Sequence, residues 1–210
     1  MTQARTSPRA VAKRRQIALA ARELFLSDGY ARTSMDAVTQ AAGVSKQTLY
    51  AYFPSKEVLL RSVVVDELTG LLAPAERPEL RATRENLPEV LFQLARGYLR
   101  HLMTPTSIAL LRLMIGEAAS LGSMRNMFRE AVPVHILGDI REFLAELDRR
   151  DVVRIPNLDA SARMLVGSLM VFVAIDGWMS PDDPVLPSDD MVRTVVGLYL
   201  RTLDLPEVTP

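Results

Sequence analysis

The chain has 210 residues, about half of them apolar and a quarter charged, which is ordinary for a soluble protein of one or two domains. It has no cysteine and only two histidines, far apart, which excludes a disulfide framework, a cysteine nucleophile and the common metal sites, so neither metal nor cofactor is expected. The formal net charge is zero, yet the first 60 residues hold nine basic against four acidic residues, so only this segment is expected to meet an anionic partner.

Four helices are predicted before residue 73. Apolar residues at helical spacing over 17–25 indicate the first helix, and Gly29 ends it. Thr33 or Ser34 can cap the second helix through a side-chain oxygen. Gly43 then permits a sharp turn, because glycine adopts positive φ at little cost.

Two further helices follow this turn. Ser45 can cap the third helix, whose inward residues are Leu49 and Phe53. Pro54 breaks that helix, and Ser55 caps a fourth helix that extends to about residue 72.

A polar, proline-bearing connector begins the second half, so one domain is expected over 12–72 and another over 73–210. No alternating strand pattern extends beyond a few residues, and the fold class is therefore predicted to be all-α with about nine helices. The helices of the second domain are expected at about 91–102, 106–121, 124–131, 133–151, 159–177 and 189–204.

Neither a secretory signal nor a membrane span is predicted. The N-terminal segment is basic and polar, with no apolar stretch after it. The longest apolar run, residues 164–175, is well short of the roughly 20 residues that cross a bilayer. We therefore expect a soluble, cytoplasmic protein.

Residues 34–53 have the pattern of a helix-turn-helix, whose second helix enters the major groove of DNA. Lysine binds guanine or phosphate, glutamine reads adenine, the threonine methyl meets that of thymine, and tyrosine hydroxyls reach phosphates. This set favours DNA binding over an ordinary solvated helix. With the inward residues in the core, the side chains left on the outer faces are Lys46, Gln47, Thr48, Tyr50 and Tyr52.

Three more basic residues are expected to contact the DNA backbone. Lys56 lies at the start of the fourth helix, where backbone N–H groups also favour a phosphate. Arg14 and Arg15 are predicted to lie on a flexible arm suited to the backbone or the minor groove.

The stretch TSMDAVTQAAGVSKQTLYAYFPSKEVL, residues 33–59, resembles the N-terminal domain of the TetR family of bacterial transcription regulators. The shared pattern is A-G-V-S-x-G-T-L-Y-x-Y-F-x-S-K-E-x-L, in which Gln47 replaces the common glycine. Val38 and Thr39 replace the common isoleucine and alanine before it. The later stretch LRLMIGEAASL is similar, less specifically, to the C-terminal domain of the AefR-like or AcrR-like branch.

The resemblance implies a homodimer whose two recognition helices read the halves of a palindromic operator. It also implies a helical C-terminal domain that binds a small apolar effector and thereby releases the operator. By motif position, the resemblance adds Thr33 and Ser34 to the DNA-facing residues.

A dimer is also expected from the residues themselves. The run ARMLVGSLMVFVAI is apolar all round, so it must be buried on every side, and Gly167 with Ser168 permits close approach of another helix. The helices at about 159–177 and 189–204 can supply half of a four-helix interface across a two-fold axis. The alternative is a central helix in the core of a single subunit.

Candidate lining residues for an effector pocket are the aromatic side chains, methionines and one histidine of the second domain. Methionine suits an adaptable apolar pocket, although such residues at helical spacing more often belong to a plain core. The candidates are Phe92, Tyr98, Met103, Met114, Phe128, His135, Met170, Phe172 and Trp178.

A ligand-released repressor is therefore the leading hypothesis. The alternative is a DNA-binding protein of the same shape without a small-molecule effector, controlled by a protein partner or by its abundance. An enzyme is not expected, because the sequence has no glycine-rich phosphate loop, nucleophile elbow or metal-ligand spacing.

Overall fold

The computed structural model describes residues 7–68, 81–118 and 136–203. Within these ranges the regular structure is helical, so the all-α fold class is confirmed. A π-helix, Val173–Trp178, continues the eighth α-helix. The nine α-helices of the described ranges are α1 (Pro8–Asp28), α2 (Met35–Ala41), α3 (Lys46–Tyr52), α4 (Lys56–Leu68), α5 (Leu87–Leu102), α6 (Pro105–Ala118), α7 (Gly138–Arg149), α8 (Leu158–Phe172) and α9 (Asp189–Leu200).

Some predicted features lie outside the described residues. These are the short helix at 124–131, the boundary after residue 72, and two of the nine pocket candidates, Phe128 and His135.

The first helix begins earlier than its apolar spacing indicated. The spacing starts at Ile17, whereas α1 begins at Pro8. Ser7 caps the helix, since its Oγ accepts the N–H of Ala10 at 3.3 Å, and Pro8 fits the first turn, where no N–H is needed. The first half of α1 is mostly exposed and polar, so hydrophobic periodicity could not detect it.

The described residues form two compact units. One comprises residues 7–67 together with 112–118, and the other comprises Leu68, 81–111 and 136–203. The last turns of α6 are thus grouped with the first unit.

In the first unit, the core fixes which face of α3 points inward. Ile17 and Phe25 of α1, Val38 of α2, Leu49 of α3 and Phe53 are all at most 1 % exposed. Helices of seven residues, such as α2 and α3, are barely stable in isolation. Burying a large apolar side chain contributes roughly 1.5–3 kcal/mol, so these contacts stabilise the two helices. The predicted inward positions of Leu49 and Phe53 are confirmed.

In the second unit, α5 packs on α9 and α7 packs on α8, with aliphatic and aromatic side chains between them. One polar link lies inside this core, where the hydroxyls of Ser161 on α8 and Tyr199 on α9 are 2.6 Å apart. The link satisfies both hydroxyls in a site where an unpaired polar group would be costly.

α8 and its π-helical continuation are longer than the apolar run in the sequence. Together they span Leu158–Trp178, 21 residues, which by length and composition alone could cross a membrane. The core helix of a soluble protein passes the same test, so this is weak evidence against a soluble protein. The helix predicted at about 159–177 is confirmed within one residue at each end. The apolar run over 164–175 is shorter because Ser161 and other small or polar residues lie among the first turns of α8.

Candidate nucleic-acid interface

The helix-turn-helix is built by local capping at both of its helices. The Oγ of Ser34 accepts the N–H of Ala37 at 3.0 Å, and the Oγ of Ser45 accepts the N–H of Thr48 at 3.1 Å. Between the helices, Gly43 has φ +60°, a left-handed conformation that glycine adopts without strain. The caps and the turn therefore set the angle at which α3 follows α2.

The outer face of α3 carries the polar side chains that the sequence placed there. Lys46, Gln47 and Tyr50 are exposed, and Thr48 and Tyr52 are partly exposed. Leu49 and Phe53 are buried in the core, so the opposite face of α3 points toward solvent. Its side chains offer hydrogen-bond donors and acceptors on one side of the helix.

Two of the side chains expected to contact DNA, Thr48 and Ser34, also make hydrogen bonds at the start of a helix. The hydroxyls of Thr48 and Ser45 are 2.8 Å apart, next to the cap of α3. Ser34 is exposed and caps α2 through its oxygen. Both residues remain at the surface of the helix-turn-helix, where their side chains can still reach a phosphate.

The structure does not place Thr33 at this surface. Thr33 is only 2 % exposed. Its hydroxyl lies within hydrogen-bond distance of the carbonyl oxygens of Leu24, at 3.1 Å, and Gly29, at 2.9 Å. Leu24 lies in the last turns of α1 and Gly29 directly follows the helix, and the Gly29 carbonyl also accepts the backbone N–H of Thr33 at 3.2 Å. Thr33 therefore fastens the residue before Ser34 to the end of α1. The contact with DNA that its motif position suggested does not fit this burial.

Lys56 also makes its contacts inside the unit. Its Nζ donates to the carbonyl oxygens of Tyr30 at 2.8 Å, Ala31 at 3.3 Å and Thr33 at 2.9 Å, and it lies 4.3 Å from the centroid of the Tyr30 ring. An ammonium has three donors, so these three carbonyls match its full capacity. In this conformation Lys56 fastens the start of α4 to the α1–α2 loop and has no proton directed at a phosphate.

Arg14 and Arg15 lie in α1 and not on a flexible arm, which corrects the expectation from the sequence. The guanidinium of Arg14 is 5.4 Å from the ring centroid of Phe53, and its Nη1 is 3.8 Å from Oδ1 of Asp66. Arg15 is exposed. Helical placement gives both side chains a defined origin, although each can still extend to a phosphate.

Sequence reasoning missed two polar connections around the turn, and the first is a pair of hydrogen bonds made by Gln16. The Nε2 of Gln16 on α1 donates to the carbonyl oxygen of Ala42 at 2.6 Å, and Nζ of Lys13 donates to Oε1 of Gln16 at 3.0 Å. These side chains tie α1 to the end of α2. The i, i+3 spacing of Lys13 and Gln16 was readable, but the bond to Ala42 joins residues 26 apart and had no local signal.

The second missed link is an ion pair between the two helices. Nζ of Lys46, the first residue of α3, lies 2.8 Å from Oδ2 of Asp36 in the first turn of α2. The hydrogen bond to Asp36, and next the charge of that carboxylate, raise the pKa of Lys46. No periodic pattern relates two residues ten positions apart across a turn.

Most of the described pocket candidates are packed against neighbouring side chains. Phe92 is buried beneath the guanidinium of Arg193, which lies 3.7 Å from its ring centroid. Met103 packs beside Gly177 of the π-helix. Met114 is buried in the part of α6 grouped with the first unit, and Phe172 and Trp178 are partly buried.

Among the candidates that the structure describes, Tyr98 lines a small cavity, and its hydroxyl lies 3.9 Å from Sδ of Met170. Burial, and then the charge of Asp139, raise the pKa of this phenol well above its usual range. The cavity measures about 10 Å³, which is hardly room for one water molecule. Its other lining residues are aliphatic, namely Leu94, Ala95, Ile140, Leu165, Val166 and Leu169.

An exposed apolar stripe follows α8 and its π-helical continuation. Met164, Val171 and Ile175 are each more than half exposed. On α9, which packs beside α8, Met191 and Leu198 are similarly exposed. Large apolar side chains grouped on neighbouring helices are typical of an interface with another protein surface.

Two family models match the chain. The model described as "Bacterial regulatory proteins, tetR family" matches residues 17–63, which contain the helix-turn-helix. The model described as "AefR-like transcriptional repressor, C-terminal domain" matches residues 89–202, more than half of the chain.

Curated relatives match over about a third of the chain. The HTH-type transcriptional activator FasR of Mycolicibacterium smegmatis is 38% identical over 74 residues, 35% of this chain and 33% of that protein. The HTH-type transcriptional regulator RutR of Escherichia coli is 40% identical over 75 residues, 36% of this chain and 33% of that protein. The matched region thus spans about a third of the length of these relatives.

Solved structures match over nearly the whole chain. A TetR-family regulator from Mesorhizobium loti has a TM-score of 0.75 at 24% identity and covers 94% of this chain and 100% of its own, which shows a shared fold. The flavonoid-responsive regulator FrrA has a TM-score of 0.65 at 27% identity, with the same 94% and 100% coverage.

Proposed function

This chain belongs to the TetR family of bacterial transcriptional regulators, and from that membership we infer that it is a repressor that binds a palindromic operator as a dimer. The family and the matched relatives are regulators of transcription and not enzymes. The relatives include a protein named an activator, so the sign of regulation is part of the proposal.

The observation that carries the DNA-binding proposal is the capped, core-anchored α3 with its polar outer face. Lys46, Tyr50 and Tyr52 would contact phosphates, while Gln47 would read a base edge and Thr48 would meet a methyl group or a phosphate. From the flanking helices, Ser34, Arg14 and Arg15 would add backbone contacts. Thr33 and Lys56 would act by holding the loop before α2 in place.

The proposed dimer uses the exposed apolar side chains of α8 and α9. Covering Met164, Val171, Ile175 and Leu198 with the same surface of a second copy would remove them from water, and a two-fold axis makes one patch self-complementary. Two copies of the first unit are also needed to read the two half-sites of a palindromic operator, since a single half-site binds weakly. A cytoplasmic location is proposed with this role, because operator DNA lies there.

A small apolar effector would act in the second unit, where aliphatic side chains surround Tyr98. The cavity of about 10 Å³ is far smaller than the roughly 300 Å³ that small-molecule sites need, so effector binding would have to open it. The small size of this cavity, in the part of the second unit that the structure describes, favours a second candidate function, a regulator of this fold without a small-molecule effector, controlled by a protein partner or by its abundance.

The test is a gel-shift of the full chain on the DNA upstream of its own gene, over a salt series, with a panel of apolar and cationic compounds. We expect retardation of this DNA over a scrambled duplex, and reversal by one compound if the effector proposal holds. Gln47→Ala should lower the preference for the operator, whereas Gln93→Ala, the same change at an exposed site of α5, should not. Specific retardation that no compound reverses would favour the second candidate. Loss of preference in both variants would contradict the assignment of Gln47.

A further inference from the structure

The ion pair between α2 and α3 places a carboxylate beside the proposed DNA surface. Asp36 and Lys46 are joined at 2.8 Å, and both side chains are 64% exposed. Asp36 lies in the first turn of α2, where the helix dipole favours an anion. The first unit has a basic excess, yet one of its acidic residues is held against the lysine at the start of the recognition helix.

The bond between these residues is of the kind a phosphate would make. An ammonium and an anionic oxygen form a short, charge-assisted hydrogen bond, whether the oxygen belongs to a carboxylate or to a phosphate. Because the pair is exposed and screened by salt, it contributes little to folding and can exchange for another anion. Its main consequence therefore falls on what Lys46 can bind.

We propose that Asp36 competes with DNA phosphates for Lys46 and so lowers the affinity of the protein for duplex DNA of any sequence. The inference rests on the proposed DNA-binding function. Before DNA binds, Lys46 already holds an anion, so its contact with a phosphate requires that the carboxylate be displaced or tolerated nearby. The gain from neutralising one phosphate is reduced accordingly. A regulator benefits from this restraint, since non-operator sites far outnumber the operator.

The experiment measures binding of the full chain to a short scrambled duplex by fluorescence anisotropy over a sodium chloride series. Asp36→Asn should bind about three- to tenfold tighter than the wild type at low salt. The slope of log affinity against log salt should steepen by up to about 0.9 for each subunit bound to the duplex. Asp36→Glu should stay near the wild type, because it keeps the charge. In a Lys46→Gln background, Asp36→Asn should lose more than half of its effect, because the competed group is gone.

Asp28→Asn is the matched control. Asp28 is an exposed aspartate at the end of α1 in the same unit, and its Oδ1 accepts a bond from the Ser27 hydroxyl at 2.9 Å. Its substitution removes the same charge without touching Lys46. It should therefore change the affinity much less than Asp36→Asn does.

Three results would overturn the inference alone: unchanged or weaker binding by Asp36→Asn, an equal gain from Asp28→Asn, or an equal gain in the Lys46→Gln background. In each case the wild type still binds DNA, so the proposed function stands. Absence of salt-dependent binding by the wild type to the scrambled duplex and to the upstream DNA would overturn the proposed function and this inference with it. Circular dichroism of every variant separates these results from a failure to fold.

Discussion

The recognition element of the first unit and the interior of the second unit use similar side chains in opposite ways. On α3, Tyr50 and Tyr52 lie on an outer face that local caps and two inward anchors keep toward solvent. In the second unit, Tyr98 and Tyr199 are buried among aliphatic residues, one beside a thioether and the other bonded to Ser161. The same residue type thus lies at the surface in one unit and is packed in the interior of the other, because the neighbouring residues decide what surrounds it.

The largest expected effect comes from removing Phe53, the buried residue that holds the end of α3 in the core. Phe53→Ala should lower the free energy of unfolding of the first unit by about 3–5 kcal/mol, because it removes a fully buried ring and leaves a cavity. Urea denaturation followed by circular dichroism measures the change, and DNA binding should fail with it. Phe92→Ala, its counterpart in the second unit, should destabilise that unit. Intact DNA binding by a folded Phe53→Ala protein would contradict the view that this anchor orients α3.

The next effect separates two lysines of the first unit. Lys56→Met should cost about 1–3 kcal/mol of stability, because three carbonyl oxygens lose a charged donor. Lys46→Met should leave the stability almost unchanged, because its ion pair is exposed. In contrast, the salt dependence of DNA binding should fall for Lys46→Met and stay near the wild type for Lys56→Met. A reduced salt slope in a stably folded Lys56→Met protein would show that this lysine contacts phosphate after all.

Within the second unit, two tyrosine hydroxyls sharpen the comparison. Tyr199→Phe should cost about 1 kcal/mol, because the buried hydroxyl of Ser161 loses its partner at 2.6 Å. Tyr98→Phe should cost less, since the sulfur 3.9 Å away is a weak acceptor. Thermal melts of the two variants measure the difference. Equal losses would mean that the Tyr98 hydroxyl has a stronger role than packing, for example toward a bound molecule.

The smallest expected effect concerns the start of α4 and depends on pH. The Ser55 hydroxyl, followed by the backbone amide of Glu57, hydrogen-bonds the carboxylate and lowers the pKa of Glu57 below 4.5. A carboxyl whose pKa is lower in the folded state stabilises the fold above its unfolded pKa, and this contribution disappears as the pH falls through the folded pKa. The melting temperature of Glu57→Gln should therefore drop less than that of the wild type between neutral pH and pH values below 4.5. Parallel losses in both proteins would argue against the assignment.

The sequence was informative where the signals are local. Ser34, Gly43, Ser45 and Leu49 were each readable from a short window, and the structure places the caps, the turn and the inward anchor where those residues indicated. The start of α1 was missed, although Ser7 and Pro8 are a readable cap and first-turn pair, because periodicity was used in place of the cap signal.

Roles that depend on distant partners were not readable. Thr33 and Lys56 have types and motif positions that suit a phosphate, but their hydrogen-bond partners are carbonyl oxygens up to 26 residues away. The ion pair of Asp36 with Lys46 likewise joins residues across a turn. For Phe92 and Met103, helical spacing indicated an inward direction without saying whether that direction holds a space or a neighbour.

The sequence by itself determined the all-helical class, the helix-turn-helix and the family, because helical periodicity, caps and the motif are encoded within a few residues of one another. Only the tertiary structure decided which polar side chains remain at the surface and which apolar candidates, within the described residues of the second unit, pack against neighbours. Those outcomes depend on which atoms meet across the fold, and buried donors, acceptors and apolar groups are satisfied by partners that no local window contains.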